Sequence, residues 1–296
     1  MTETRSAPLV RAAAVAALFA IPALAGCSPS KMAVGAMVPI LENTKTVAFA
    51  SNDLRTFTAA TPANLFLLEG LIETEPKNRD LRITASMLYF SYGFTFDSPA
   101  DADYATMLYR KGLEHGRTVL FKNKKVQAAW EKPYDDFVAG TKTMTAGDLE
   151  GAVWTLANWT QLIALHLDST QVLTEIPRLV ALLERTIEID GTYFQGLPLM
   201  LMGSLHAFRP PLMGGDPEAS RAAFDKAFAV SDGKFLLASY LYAKFYCHRT
   251  QDADDFENRL SYILEQPDSI MPEYRLLNAL AKQKAAILLK EKDELF

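Results

Sequence analysis

Hydrolytic or metal chemistry needs side chains that converge, and the four histidines, His115, His166, His206 and His248, are scattered along the sequence. No HExxH pair sets two imidazoles one helical turn apart for a zinc ion. Gly203-Ser204-Leu205-His206 is not a GxSxG elbow, and its helix-like setting is wrong for that strained turn. Asp97, Asp101 and Asp103 crowd three carboxylates into "FDSPADADY", a loop without the glycine and closing glutamate of a calcium-binding EF-hand. Ser98-Pro99 there reads as a helix start with acids in its first turn. Gly214-Gly215-Asp216-Pro217 lacks the Lys and Ser/Thr of a phosphate loop, and Asp216 would set a negative charge where an anion should lie, so it reads as a connector and N-cap. No carboxylate pair stands out as an acid/base couple. The chain is read as a non-enzyme with no cofactor and no metal site.

Two cysteines remain. Cys27 follows "MTETRSAPLVR" and the apolar run "AAAVAALFAIPAL", which is shorter than the roughly 20 residues a bilayer span needs. The ending Leu24-Ala25-Gly26-Cys27 resembles a bacterial lipobox. It implies a signal peptide over residues 1–26, a lipid on Cys27 and attachment to a membrane, several acyl chains holding firmly where one holds marginally. Ser28, where an aspartate would favour inner-membrane retention, points to the outer membrane. With Cys27 lipidated, Cys247 has no partner for an internal disulfide. In "SYLYAKFYCHR" it reads as a small buried apolar residue on a helix.

The elements that must position any site are helices. The whole chain carries a net charge of −5, and residues 1–26 hold Arg5, Arg11 and Glu3, so their loss makes it one unit more negative. That balance gives no basic stripe for nucleic acid. Residues 27–60 read as a lipidated N-terminus, tether and first helix, and 61–296 as a helical domain. From Pro62 onward apolar residues recur at helical spacing, as in Leu65, Leu68, Leu71 and Ile72. Pro99, Pro177, Pro217 and Pro272 stand where first helical turns tolerate a missing N–H. Thr145 and Asp148 have capping-box spacing before "LEGAVWTLANWTQLIALHL", a helix apolar nearly all round that must be covered on several faces. Strand signals are sparse, so the expected class is all-α.

The helices also come in pairs with a common joint, seen in "LIETEPKNRDLRITASMLYFSYG", "TIEIDGTYFQGLPLMLMGSL", "AFAVSDGKFLLASYLYAKFYC" and "ILEQPDSIMPEYRLLNALAKQKAA". Asp190 and Asp232 are 42 residues apart, and Asp232 and Pro267 are 35 apart. Those intervals bracket a tetratricopeptide-like repeat, whose pairs must stack to bury their apolar faces. An irregular helical bundle is the alternative.

The segments beginning "ITASMLYFSYGFTFDSPADADYATMLYRKGLEHGRTVL", "WTLANWTQLIALHLDS" and "IPRLVALLERTIEIDGTYFQG", with the closing "RLLNALAKQKAAILLKEKDELF", resemble the T-component family of TRAP transporters from about Asn64 to Phe296. Arg209-Pro210 and Gly214-Gly215-Asp216 are the most distinctive part. The resemblance implies a lipoprotein of degenerate tetratricopeptide-like helix pairs stacked into a compact superhelical bundle with a central pore. It also implies a homotrimer, a periplasmic TRAP solute-binding protein as partner, and a hydrophobic small molecule as ligand. Candidate ligand or partner contacts are Trp154, Trp159, Met200, Met202, Phe208, Arg209 and Met213. The tryptophans read first as a central core helix and the methionines first as plain packing, with a surface that adapts to apolar shapes as the functional reading. Arg209, before two prolines, would either meet a carboxylate in a channel or toward the partner, or sit solvated at a helix C-terminus. A tetratricopeptide scaffold for envelope assembly, binding peptide in an open groove, is the alternative function.

Overall fold

The computed structural model describes residues 29–96, 99–209, 211 and 214–296. Cys27 and the segment before it, Asp97 and Met213 lie outside the described residues. Every regular element among the described residues is helical. The chain runs through α1 (Pro29–Ala50), α2 (Leu54–Thr74) and α3 (Arg79–Gly93), then a 3-10 turn (Pro99–Asp101) into α4 (Ala102–Leu120). Short α5 (Lys124–Ala129) and α6 (Tyr134–Thr141) lead by a second 3-10 turn (Ala146–Asp148) to α7 (Leu149–Leu165), α8 (Thr170–Asp190), α9 (Tyr193–Phe208) and α10 (Pro217–Ser231). Beyond it α11 (Leu236–Leu241) widens into a π-helical turn (Tyr242–Cys247) and ends in α12 (His248–Thr250). The last elements are α13 (Ala253–Glu265), a 3-10 turn (Pro272–Tyr274), α14 (Arg275–Lys290) and α15 (Lys292–Leu295).

Local chemistry sets most of the boundaries. Thr145 and Asp148 form the expected capping box, Thr145 N donating to Asp148 Oδ2 at 2.9 Å. Asp216 accepts from the amides of Glu218 and Ala219 at 3.0 Å, and Pro217 fills the first helical position. All four joints expected between paired helices are observed as turns. Pro177 is a correction: α8 begins earlier, at Thr170, capped by Ser169, and carries Pro177 inside. The proline is exposed, so water can take the Leu173 carbonyl that a proline nitrogen cannot satisfy. Pro62 likewise lies inside α2, which starts behind Asp53 and spans positions 60 and 61.

Neighbouring helices pack as pairs, α3 with α4, α9 with α10 and α13 with α14, and α7 is enclosed by α3, α4, α8 and α9. That enclosure explains why Gly151 through Thr160 are all buried. α4 crosses α7 at close range. A Cβ on Gly116 would stand 2.8 Å from Thr155 N and one on Gly151 2.9 Å from Leu120 N, so neither position admits a side chain without backbone movement. Where α3, α4 and α7 meet, Ser86 Oγ donates to Gly112 O at 2.6 Å, while Asn158 Nδ2 donates to Ser86 O at 3.2 Å and Trp154 O at 2.8 Å. Near the C-terminus α14 packs back onto α1 and α2.

Candidate functional site

Cavities remain where helices fail to fill the space between them. The first, about 300 Å³, lies among α1, α2 and α3, with Leu276 of α14 in its wall. Val47, Phe49, Phe57, Met87 and Leu88 give it an apolar lining; Lys45 and Asp53 are its charged members, and the other polar ones are neutral hydroxyls and the amide of Asn64. Lys45 is already bonded to Glu42 on its own helix, and Asp53 caps α2. The interior thus favours a hydrocarbon or aromatic body over a charged one.

The second cavity, about 650 Å³, is bounded by the end of α9, by α11 and its π-helical turn, by α12 and by α14. Phe208, Tyr240, Phe245 and Ile287 supply apolar wall, and Lys244, Arg249, Lys284 and Glu291 are charged residues of the lining. The Lys284 ammonium is buried 4.6 Å over the Phe94 ring. The turn itself is fixed from behind: Tyr242 donates to Asp255 Oδ2 at 2.7 Å and stacks on Tyr246 at 4.7 Å.

Between α1 and the turn that leads into α14 sits Phe194. Its ring meets Trp154 at 5.0 Å, Tyr274 at 5.6 Å, Phe49 at 6.0 Å and Phe235 at 6.5 Å, joining α7, the last 3-10 turn, α1 and the start of α11. The backbone reaches this position by leaving the right-handed helix: Phe194, Gln195 and Gly196 have φ of 48°, 58° and 82°. The sequence reading missed this residue; the local signal was Gly196 between two aromatic-apolar runs.

A polar cluster ties α2, α3 and α4. Arg82 Nη1 lies 3.1 Å from His115 Nδ1, and a guanidinium can only donate, so Nδ1 accepts and Nε2–H donates to Glu69 Oε1 at 3.2 Å. Tyr89 donates to the same carboxylate oxygen at 2.6 Å and stacks on the imidazole at 5.8 Å. Burial, then the nearby Arg82 charge, pushes the His115 pKa down against the opposing pull of Glu69. None of these four residues lines either cavity.

The residues singled out in the sequence do not converge. Trp154 is 1% exposed and packs on Phe90 and Phe194. Trp159 is buried against Trp130 and donates to Glu175 at 2.7 Å. Met200 and Met202 are buried in the main core, whereas Phe208 fronts the larger cavity beside Phe245. Arg209 is buried, neither solvated nor among the residues lining a cavity: Nε donates to Leu205 O at 2.8 Å and Nη2 to His206 Nδ1 at 3.2 Å, closing the end of its own helix. Burial lowers the pKa values of both Arg209 and His206. Cys247 is fully buried and unbridged, and burial, reinforced by Asp255 and Asp252, pushes its thiol well up.

No group of three or more His, Cys, Asp or Glu side chains suited to a metal ion occurs among the described residues. No described helix is long and apolar enough to cross a membrane. The helix pairs and the order of the segments along them can be compared with known proteins. No curated protein matches the chain. The sequence profile described as TRAP transporter T-component matches residues 50–296, from the end of α1 to the last residue. The chain therefore belongs to the TRAP transporter T-component family.

Proposed function

We propose that this protein is the lipid-anchored, periplasm-facing accessory subunit of a TRAP-type transport system. In this reading the signal peptide over residues 1–26 is removed, Cys27 carries the lipid, and the anchor lies in the outer membrane. The helical domain docks the periplasmic solute-binding protein, acts as a homotrimer, and takes up an apolar or amphipathic molecule. Tethering raises the effective concentration of the pair near the membrane. The observation that carries the reading is the family match over residues 50–296. The apolar cavity among α1, α2 and α3 supports the ligand part: its volume of about 300 Å³ falls at the small end of ligand pockets, about 300–1,000 Å³.

The test is a pull-down of the lipidated protein from envelope extracts beside a Cys27→Ala control, with mass spectrometry of co-purifying proteins and extractable small molecules. A TRAP solute-binding protein recovered with the wild type is the expected result. Recovery of outer-membrane assembly factors alone would sink the docking role and favour a scaffold. Light scattering of the purified protein checks the trimer.

A further inference from the structure

The first two helices depart from the usual pattern of a surface helix. α1 buries Val34 and half-buries Val38 and Leu41 on one side, and such a helix normally turns charge toward water on the other. Here the outer face is Met32, Ala36, Ile40, Asn43 and Val47, at steps of four and three residues. Ile40 is 56% exposed and Val47 71%. α2 repeats the arrangement: Leu65, Leu68 and Ile72 are buried, while Ala59, Ala63, Phe66 and Gly70 face outward, Phe66 being 82% exposed. No exposed residue of α1 from Met32 to Ala50, or of α2 from Thr56 to Gly70, is charged. The charged residues within those spans are half-buried and paired, Glu42 with Lys45 and Glu69 with Tyr89 and His115. α10, by contrast, shows water Glu218, Arg221, Asp225 and Lys226. Only a short joint links α1 to α2. The exposed Val47 of the one and the exposed Ala60 and Asn64 of the other line the same cavity, so the two uncharged faces flank a common opening. Exposed apolar patches of this kind mark contacts with a protein or a membrane.

The place of α1 in the chain selects between them. Under the lipoprotein reading above, on which this inference rests, Cys27 is held at the bilayer surface, and Pro29 follows two residues later, within about 7 Å. α1 therefore starts at the lipid headgroups, and its 22 residues run for about 33 Å. We infer that the outer face of the α1–α2 hairpin lies on the lipid surface itself, with Ile40, Val47, Phe66 and Leu67 among the headgroups and upper acyl chains. A helix lying in that interface sinks its apolar side by about 5–10 Å, and a face without exposed charge brings no ion to the acyl boundary. The contact adds to the anchor and sets which side of the domain looks away from the membrane. It needs no anionic lipid, because between the ends of the two helices the face presents no exposed lysine or arginine.

The lipoprotein purified from envelopes is placed in phosphatidylcholine vesicles with the photocrosslinker benzoylphenylalanine at Ile40, at Phe66 or, on α10, at Lys226. Adducts formed on illumination are identified by mass. Phospholipid adducts at the first two positions and none at the third are expected, with yields unchanged when phosphatidylglycerol is mixed in. With the probe at Phe66, the double variant Ile40→Glu/Val47→Glu loses the lipid adduct. Its urea unfolding matches the wild type, because both side chains project to solvent. Absence of lipid adducts at Ile40 and Phe66, equal adducts at Lys226, or cross-links to a second copy of the chain in place of lipid would each overturn the inference. The intact mass reports acyl groups on Cys27 separately. Their absence would sink the lipoprotein reading, and the same probes on the chain from Cys27 onward, coupled through that cysteine to a maleimide phospholipid, would still decide whether the face meets lipid.

Discussion

Replacing Phe194 separates two effects that the structure superimposes at one position. The ring is the meeting point of Phe49, Trp154, Phe235 and Tyr274, while the backbone that carries it is left-handed at φ 48°, ψ 57°. Phe194→Ala removes the ring and keeps the Cβ, hence the backbone strain. Truncating a buried phenylalanine costs about 3–5 kcal/mol. The ring is only half-buried, so the lower end, about 3 kcal/mol, is expected. Phe194→Gly removes the same ring and also relieves a left-handed residue, a strain of about 1–2 kcal/mol, partly offset by the greater freedom of glycine in the unfolded chain. Glycine is therefore expected to be the more stable variant by about 1 kcal/mol, the reverse of a right-handed helix interior, where it is worse than alanine by about 1 kcal/mol. Urea unfolding followed by tryptophan fluorescence measures both midpoints. A Phe49→Ala partner adds a double-mutant cycle whose coupling should reach about 0.5–1.5 kcal/mol. Alanine more stable than glycine would refute the left-handed geometry, and additive effects of Phe49 and Phe194 would refute the aromatic link between α1 and the rest of the fold.

Gly116→Ala should destabilise by about 2 kcal/mol, an overpacking cost at the top of the roughly 1–3 kcal/mol range less about 1 kcal/mol gained in helix propensity, because its Cβ meets backbone at 2.8 Å; unchanged urea stability would contradict the α4–α7 crossing. His115 is held neutral in the fold by burial and by Arg82, so below pH 6.5 the unfolded chain takes the proton first and stability is lost as pH falls toward the depressed folded value. A His115→Gln variant should flatten that acid limb in melts across the range, and an acid limb as steep as the wild type's would remove His115 as its source. Cys247 should resist a thiol reagent until the chain unfolds, its burial opposing the thiolate; labelling of the native Cys27→Ser protein at neutral pH would show that the π-helical turn opens to solvent.

Helical class, paired helices and their joints were legible from the sequence because they depend on residues close in the chain. Apolar recurrence, the Thr145–Asp148 box and the Asp216–Pro217 start act within one or two turns, and the burial of α7 on every side follows from its own residues. The order of segments also sufficed to indicate the family. What the tertiary structure alone decided is where space and charge collect. Met87 and Leu276 wall one cavity and Phe208, Lys244 and Lys284 another, each set drawn from helices far apart in sequence, and no local pattern records which faces fail to fill. The same reason turns Phe194 left-handed: the preference of its own segment is overridden by ring contacts with Phe49, Trp154 and Tyr274 that exist only once α1, α7 and the turn before α14 meet.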